Sequence, residues 1–506
     1  MAIRMTGLNS GLDTESIITQ LVSAKKTSVN SIKKAQTKLS WKIDAWKELN
    51  SKIYSLYTGV VDKMRWETAY NKKKTSVSTN GLLSVVAGSN SANGVQTVAV
   101  ESLAKAAYLT GGKMQQADGS KVSGSTKLVD LGITAGDTIS FTSQGNKTDI
   151  TIDENTTVNS LVSQLQKAGV NASFDEGQQR LFVSAKSTGA AYDFSFAGDD
   201  STLKKLGLVE DPDNAYGAVK IDGADAVMYL NNAKFESSTN TFQINGSTYT
   251  LESVSEKNAD GSLKESTITT TDDYDGIYDT IKNFLSEYNK LINEMDKMYN
   301  ASSSKGYEPL LSEEKEALTE TEISDWEKKI KDSLLRKDSS LSSVISSMTS
   351  AMAEGITVGG QTMYLSSFGI NTLGYFNAEE NERHAYHING DPDDSNTSTK
   401  EDTLKSMIAS DPNTVKSFFT QLSNNLYKAM TNSMSRVEGY KSMYKVYNDK
   451  QMDTELSSYK TKISDAEEKL NDYEDKWYKK FSAMETALAK LSSKQSALSG
   501  LLGGSQ

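Results

Sequence analysis

From Asn448 to Leu502 the chain has no proline, and its first glycine there is Gly500. Apolar or aromatic residues recur at Met452, Leu456, Tyr459, Ile463, Ala466, Leu470, Tyr473, Trp477, Phe481, Met484, Leu488 and Leu491. The steps alternate between four and three, with one extra four-residue step through Tyr473, Trp477 and Phe481. That is the seam of a coiled coil interrupted by a single stutter, where the left-handed supercoil unwinds locally. At a helical rise of about 1.5 Å per residue, Met452 to Leu491 spans roughly 60 Å. A seam of that length demands a second helix.

The opposite end of the chain supplies one. After the polar, glycine-marked stretch Thr6-Gly7-Leu8-Asn9-Ser10-Gly11-Leu12, Asp13 or Thr14 offers a helix cap and Glu15 lies in the first turn. With Val22 in the first seam position, the pattern runs through Val29, Ile32, Leu39, Ile43, Trp46, Ile53, Tyr57, Val60 and Met64. Lys25, Gln36 and Asn50 occupy seam positions with polar side chains, which cost stability and fix register or oligomeric state. Packing within one chain and packing between copies both satisfy this pattern. On it, replacing Gln36 and Asn50 by Ile is expected to tighten the coil.

The first helix is basic. Residues 22–74 hold thirteen Lys and Arg against four Asp and Glu, whereas residues 272–327 hold fifteen acids and five lysines. Nucleic-acid binding is disfavoured, because the lysines surround the helix and the aromatics sit on the seam. Part of the acidic segment is expected to pack beside the basic helix, although exposed ion pairs add little stability each.

Between the terminal helices the texture changes. From Thr75 apolar residues alternate with period two, giving strands at 82–87 and 95–101. Residues 104–127 read as loop with weak strands. The order β-β-α-β-β across 128–197 predicts one helix on a sheet, with the helix at 158–168. A short helix and a boundary at Asp211-Pro212-Asp213 follow. A second β run over 215–271, with turns at Asp222-Gly223, Asn245-Gly246 and Asp260-Gly261, is expected to pair with the strands at 82–101. Helical patterns return from Asp275 through Ile277, Ile281, Phe284, Tyr288, Leu291, Met295 and Met298, then near 321–336 and 339–353. The helix at 339–353 stands behind the candidate cap Asp338, and a further helix starts at Asp411-Pro412, a capping residue followed by proline at the first helical position.

At 506 residues the chain exceeds one core. The pattern predicts an α+β multidomain fold in four parts. Residues 1–40 and 448–506 form a terminal coiled-coil leg, and 41–74 with 272–447 a helical domain. Residues 75–103 with 212–271 form a β-rich domain, and 104–211 an inserted α+β domain. No apolar run has the length of a membrane span, and the first residues lack the long apolar core of a secretory signal. Cysteine is absent and histidine occurs twice, which leaves little material for nucleophilic or general acid–base work.

The remaining chemical candidates are weak. Asp391, Asp393, Ser395, Thr399 and Asp402 give oxygen ligands in a calcium-loop-like string. The string lacks the loop glycine, and Pro392 follows the first ligand, so a solvated acidic loop outweighs a metal site. His384 and His387 have no third ligand at zinc spacing. The carboxylates of 308–327 read as a solvated helix face, and Gly359-Gly360 follows no phosphate-binding pattern. We assign no catalytic, cofactor or metal residues. The assembly seam is the candidate site: Val22, Val29, Ile32 and Leu39 from the first helix, with Leu456, Tyr459, Ile463, Leu470, Tyr473, Trp477, Phe481, Met484, Leu488 and Leu491 from the last.

Five stretches resemble the flagellar hook-associated protein 2 family, the filament cap. They are Gly7 to Val22, Val227 to Phe242, Phe284 to Ile292, Ser366-Ser367-Phe368-Gly369-Ile370, and Phe481-Ser482-Ala483-Met484-Glu485 with Leu488, Leu491 and Gln495. Residues 104–211 match least, and the proline frequent after the family's first helical block is absent near Thr27. The resemblance implies a structural protein at the tip of the bacterial flagellum, exported by the flagellar type III apparatus with its chaperone and without a cleavable signal. It implies a homo-oligomeric ring whose terminal helices contact the filament and which promotes folding and insertion of flagellin while preventing its loss. The alternative is a surface adhesin binding host mucin or glycan through the β-rich domains.

Overall fold

The structure, a computed structural model, describes residues 11–210 and 216–502, with side chains as far as Ser499. The signature residues before Gly11 and the Asp211-Pro212-Asp213 boundary lie outside the described residues. Helix α1 spans Thr14–Leu56, and its first turn is closed by the Asp13 carboxylate accepting the Ser16 N–H at 3.0 Å. The helix then passes through one π turn, Tyr57–Val61, into the short α2, Asp62–Met64. A wide turn of this kind re-aims the side chains that follow it. Here Tyr57 stacks on Tyr427 at 4.4 Å, and the Arg65 guanidinium lies 4.0 Å from the same ring.

The chain divides into two compact units, one from Asn71 to Gly276 and one from the residues on either side of that stretch. The β unit contains β1 (Lys73–Val77), β2 (Leu83–Ala87), β3 (Gly94–Ser102), β4 (Tyr108–Lys113), β5 (Thr138–Ser143) and β6 (Asn146–Thr151). After α3 (Val158–Lys167) come β7 (Val170–Asp175), β8 (Arg180–Ala185), β9 (Phe194–Ala197) and α4 (Asp200–Lys205). The unit ends with β10 (Val219–Ile221), β11 (Ala226–Leu230), β12 (Ala233–Ser237), β13 (Thr241–Ile244), β14 (Ser247–Leu251) and β15 (Ser266–Asp272).

The late strands pair with the early ones. The largest sheet has the order β1-β15-β3-β11-β12, with Ile268 opposite Gln96 and Met228 opposite Val100, and β14 joins β2 in a second sheet. Their inward faces bury Val98, Val100, Met228, Phe242, Tyr249 and Ile268. The hairpin at Asn245-Gly246 has both residues in the left-handed region, as a tight turn between twisted strands requires. Asn231-Asn232 does the same between β11 and β12 without a glycine. Asp222-Gly223 is no hairpin, because β10 and β11 belong to different sheets.

The expectation of one helix on one sheet is corrected. β6-β5-β9 and β10-β4-β8-β7 are separate sheets. Each hairpin closes on itself, and the two apolar faces meet around Leu161 and Leu165 of α3, burying Ile139, Phe141, Leu181 and Val183. Strand β4 hides in sequence because it contains Gly111-Gly112. A Cβ on Gly111 would lie 2.6 Å from the Leu181 carbonyl oxygen, so the glycines permit a backbone approach that larger residues forbid.

The helical unit continues with α5 (Tyr274–Tyr299), α6 (Ser312–Lys315), α7 (Glu320–Asp332) and α8 (Ser339–Ala353). The small strands β16 (Ile356–Val358), β17 (Gln361–Met363), β18 (Ile370–Asn371) and β19 (His387–Ile388) form two pairs. Then come α9 (Thr403–Ser410), α10 (Pro412–Ser433) and α11 (Asp449–Leu502). Asp338 and Asp411 cap α8 and α10, each accepting backbone N–H groups of the first turn. One core joins Trp46, Leu49 and Ile53 of α1 to Ile281, Phe284 and Tyr288 of α5, Met348 of α8, and Phe418, Phe419 and Leu422 of α10. Phe368 completes it, with its ring 4.5 Å from Phe418. Phe418→Ala should therefore lower the unfolding free energy of this unit by about 3–5 kcal/mol in urea titration.

Candidate functional site

Helix α1 has two different halves. From Ala45 onward its apolar side chains enter the core of the helical unit, whereas its earlier part, at Glu15 and Lys33, packs against α11. The two helices run antiparallel: Glu15 Oε1 accepts the Tyr478 hydroxyl at 3.2 Å, and Lys33 Nζ meets Glu467 at 2.6 Å. Both ends of the chain thus share one seam, and its apolar spacing explains why they meet.

Coverage of that seam is incomplete. Val22 and Val29 are buried, while Ile32 and Leu39 are half-buried. On α11, Leu456, Tyr459, Ile463, Leu470, Tyr473, Trp477, Phe481, Met484 and Leu488 are all half-buried, and Leu491 is 64% exposed. The seam is therefore closed on the α1 side at Val22 and Val29 and left half-covered along α11 among the described residues. At the stutter, Tyr473, Trp477 and Phe481 follow one another with ring centroids 6.1 Å apart. Lys25 Nζ lies 5.5 Å above Tyr473 and Lys480 Nζ 4.5 Å above Trp477, so the cations pack on ring faces while their ends stay near water.

The three polar seam residues behave differently. Lys25 is exposed and Gln36 half-buried. Asn50 is only 5% exposed, yet its amide is paired: Nδ2 donates to the Tyr444 carbonyl at 3.2 Å and Oδ1 accepts the Val446 N–H at 2.9 Å. Trp46, one turn away, stacks on Tyr447 at 5.2 Å. Asn50 therefore fixes the connector between α10 and α11 and does not loosen the seam. The expectation that Asn50→Ile tightens the coil is corrected, because Ile would leave the Val446 N–H buried without an acceptor.

Charge pairing links the basic helix to the acidic segment. Lys26 meets Glu313 at 2.9 Å, Lys34 meets Glu314 at 2.7 Å and Lys52 meets Glu294 at 2.6 Å. The Glu314 carboxyl is held below its ordinary range, first by the Leu311 N–H it accepts and then by Lys34. The exposure of these pairs makes them a guide to alignment more than a source of stability.

The metal-like string is internally neutralised. Lys282 Nζ contacts Asp391 and Asp393 at 2.6 Å each, and Asp402 caps α9 by accepting the Lys405 N–H. Among the described residues no group of three His, Asp or Glu side chains is arranged for a metal. His384 Nδ1 lies 2.7 Å from Asp296, which is 3% exposed, and this hydrogen bond raises the imidazole pKa against the opposing effect of burial. His387 pairs with Asp394 at 2.6 Å, and the acid's pKa is lowered despite a burial penalty that alone would raise it. Both histidines tie down a loop. Asp296 lies 88 residues from His384 in sequence, so only the fold reveals that pair.

Residues 223–493 match the family model described as flagellar hook-associated protein 2 C-terminus, more than half of the chain, and residues 10–107 match the corresponding N-terminus model. The stretch between the two overlaps the region of weakest resemblance. The flagellar hook-associated protein 2 of Halalkalibacterium halodurans is 23% identical over 422 residues, covering 77% of this chain and 78% of the relative. The A-type flagellar hook-associated protein 2 of Pseudomonas aeruginosa is 27% identical over 310 residues, covering 57% and 62%. That of Escherichia coli is 29% identical over 251 residues, covering 47% and 51%. Of these last two the chain spans less than two thirds of the relative's length. A three-domain crystal structure of the flagellar cap protein FliD from Escherichia coli aligns over 76% of this chain and 95% of that one, at 20% identity and a TM-score of 0.47.

Two outcomes follow from the geometry. Asn50→Leu should lower the stability of the helical unit by about 1–3 kcal/mol in denaturant titration, whereas Gln36→Leu should leave it unchanged or raise it. Because the His384 pKa is raised in the fold, its contribution is fully present below the unfolded imidazole value and is lost as pH rises through the folded one. The melting-temperature difference between the parent and His384→Asn should therefore be largest below the unfolded imidazole pKa of about 6.5 and shrink as pH rises through the raised folded value.

Proposed function

The chain belongs to the flagellar hook-associated protein 2 family, and from that premise we propose that its α1–α11 pair is the leg by which an oligomeric cap holds the end of a flagellar filament. The protein is a filament cap, and the family match favours this over the adhesin alternative. The observation that carries the leg reading is the seam from Met452 to Leu488, apolar throughout its length yet only half-buried. Leaving such a stripe in water forfeits the burial that its spacing prepares. Helices from neighbouring copies, or from flagellin, supply the missing wall.

Four parts share the work in this reading. Residues 1–40 and 448–506 are the leg, and 41–74 with 272–447 the helical body. The β-rich domain at 75–103 and 212–271 and the inserted domain at 104–211 form the plate that retains unfolded flagellin. The leg contacts are weak and exchangeable, so flagellin subunits can insert beneath the cap. Delivery is by the flagellar type III apparatus with its chaperone, and the site of action is the extracellular tip.

Light scattering on the full chain and on Leu470→Ser/Leu488→Ser tests the leg. The parent is expected to form a discrete oligomer, alone or with polymerising flagellin, and the variant to remain a monomer in both conditions. Equal masses for the two proteins in both conditions would remove the leg assignment.

A further inference from the structure

Residues 372–386 join β18 to β19 with no regular structure, and one stripe of α5 grips the end of the segment. Lys282, Asn289 and Asp296 recur every seven residues on that helix and so share a face. The three grips differ in kind. Asn289 Nδ2 donates to the Tyr386 carbonyl at 2.7 Å, and Asn289 Oδ1 accepts the Tyr386 N–H at 2.8 Å, a clamp made by groups that do not titrate. Lys282 meets the Asp391 and Asp393 carboxylates just beyond β19. Asp296 binds His384 Nδ1 at 2.7 Å. Asp296 is only 3% exposed, and a carboxylate that deep is stable when a cation is paired with it. The side chain of His384 is 43% exposed, so its ring can exchange a proton with water. Of the three grips, the imidazole is the one whose charge changes near neutral pH.

We propose that residues 372–386 form a strap that His384 fastens to α5 while its imidazole is cationic, and that loosens when the ring becomes neutral. The strap supplies Glu380, Asn381 and Glu382 to one side of a cleft of about 1430 Å³, which Trp41 of α1, Asn293 of α5 and Lys329 of α7 also line. Loosening therefore widens that cleft. It also releases Arg383, whose guanidinium lies 3.9 Å from the exposed Tyr375 ring farther along the strap. The groups around His384 set the direction of the change. Asp296 faces it from α5 and favours the cation, while partial burial and Arg383 of the strap oppose it, and Asp296 prevails. Burial pushes the Tyr288 hydroxyl of α5, close to Asp296, well above its ordinary value and raises Tyr386 as well, so neither adds charge near neutral pH. The fastening is thus complete below the unfolded imidazole value and is lost as pH rises through the raised folded one. His387 pairs with Asp394, beyond β19, and not with α5, so it does not fasten the strap.

Hydrogen exchange of the full chain, read by mass spectrometry as protection relative to an unstructured peptide at each pH, tests this between about pH 5.5 and about pH 9. Protection of residues 372–386 should fall about fivefold across that range, the size expected for loss of one partly exposed ion pair. Protection of α10 should hold level and so report that the core stays folded. In His384→Gln, neutral at every pH, the fall should disappear, whereas His387→Gln should keep it. A parent strap equally protected throughout overturns the proposal. So does a fall that persists in His384→Gln, or one that only His387→Gln abolishes. The measurement needs neither an oligomer nor a filament, so a negative result would leave the cap reading standing.

Discussion

The paired amide of Asn50 governs how the two ends of this chain relate. A buried asparagine in a helical seam is costly unless both of its polar ends find partners. Here they find the backbone of residues 444–446, and Trp46 stacks on Tyr447 beside them. Those contacts settle where α11 leaves the core and in which direction it runs back along α1. Tyr444 itself has a positive φ, 63°, a conformation uncommon for a bulky residue and sustained here by its surroundings. Its N–H is held by the Met434 carbonyl and its ring by Tyr54. The long seam beyond this point inherits its register from a connector locked by hydrogen bonds.

The same device appears a second time. Asn289 pairs with the N–H and C=O of Tyr386 as Asn50 pairs with the backbone around Tyr444. In both places a helix displays a side-chain amide that stands in for a neighbouring strand, satisfying an irregular segment that has no ladder of its own. Burial energy comes from the core of Phe284, Phe368, Phe418 and their neighbours. The amides decide which irregular conformation that core is attached to. This division of labour leaves the molecule with a firmly packed centre and an incompletely covered seam.

Much of this was readable from residue spacing. The four-three steps placed α1, α5 and α11, the caps Asp13, Asp338 and Asp411 marked three helix starts, and Asn245-Gly246 marked a hairpin. The pairing of the 215–271 strands with those near 82–101 followed from alternation and turn spacing, and the basic helix does lie against acidic residues at Glu294, Glu313 and Glu314. What escaped has physical causes. β4 was masked by Gly111-Gly112, whose purpose is backbone approach and not side-chain packing. The two sheets around α3 could not be told from one, because period-two alternation reports which face is buried and not which edge is paired. Asn50 read as a defect in the seam because its partner lies nearly four hundred residues away in sequence. The half-covered state of Leu456 to Leu488 was equally invisible, since spacing gives the seam and not the number of helices that close it.

The account stands on the claim that the α11 seam is half-covered in the free chain and closed on assembly. Hydrogen exchange along α11, followed by mass spectrometry in the free protein and in the protein bound to filament ends, measures this directly. The account predicts weak protection from Met452 to Leu488 in the free chain, beside strong protection in α5 and α10, and a large gain over the seam in the bound state. Strong protection of α11 in the free chain with no change on binding would contradict it.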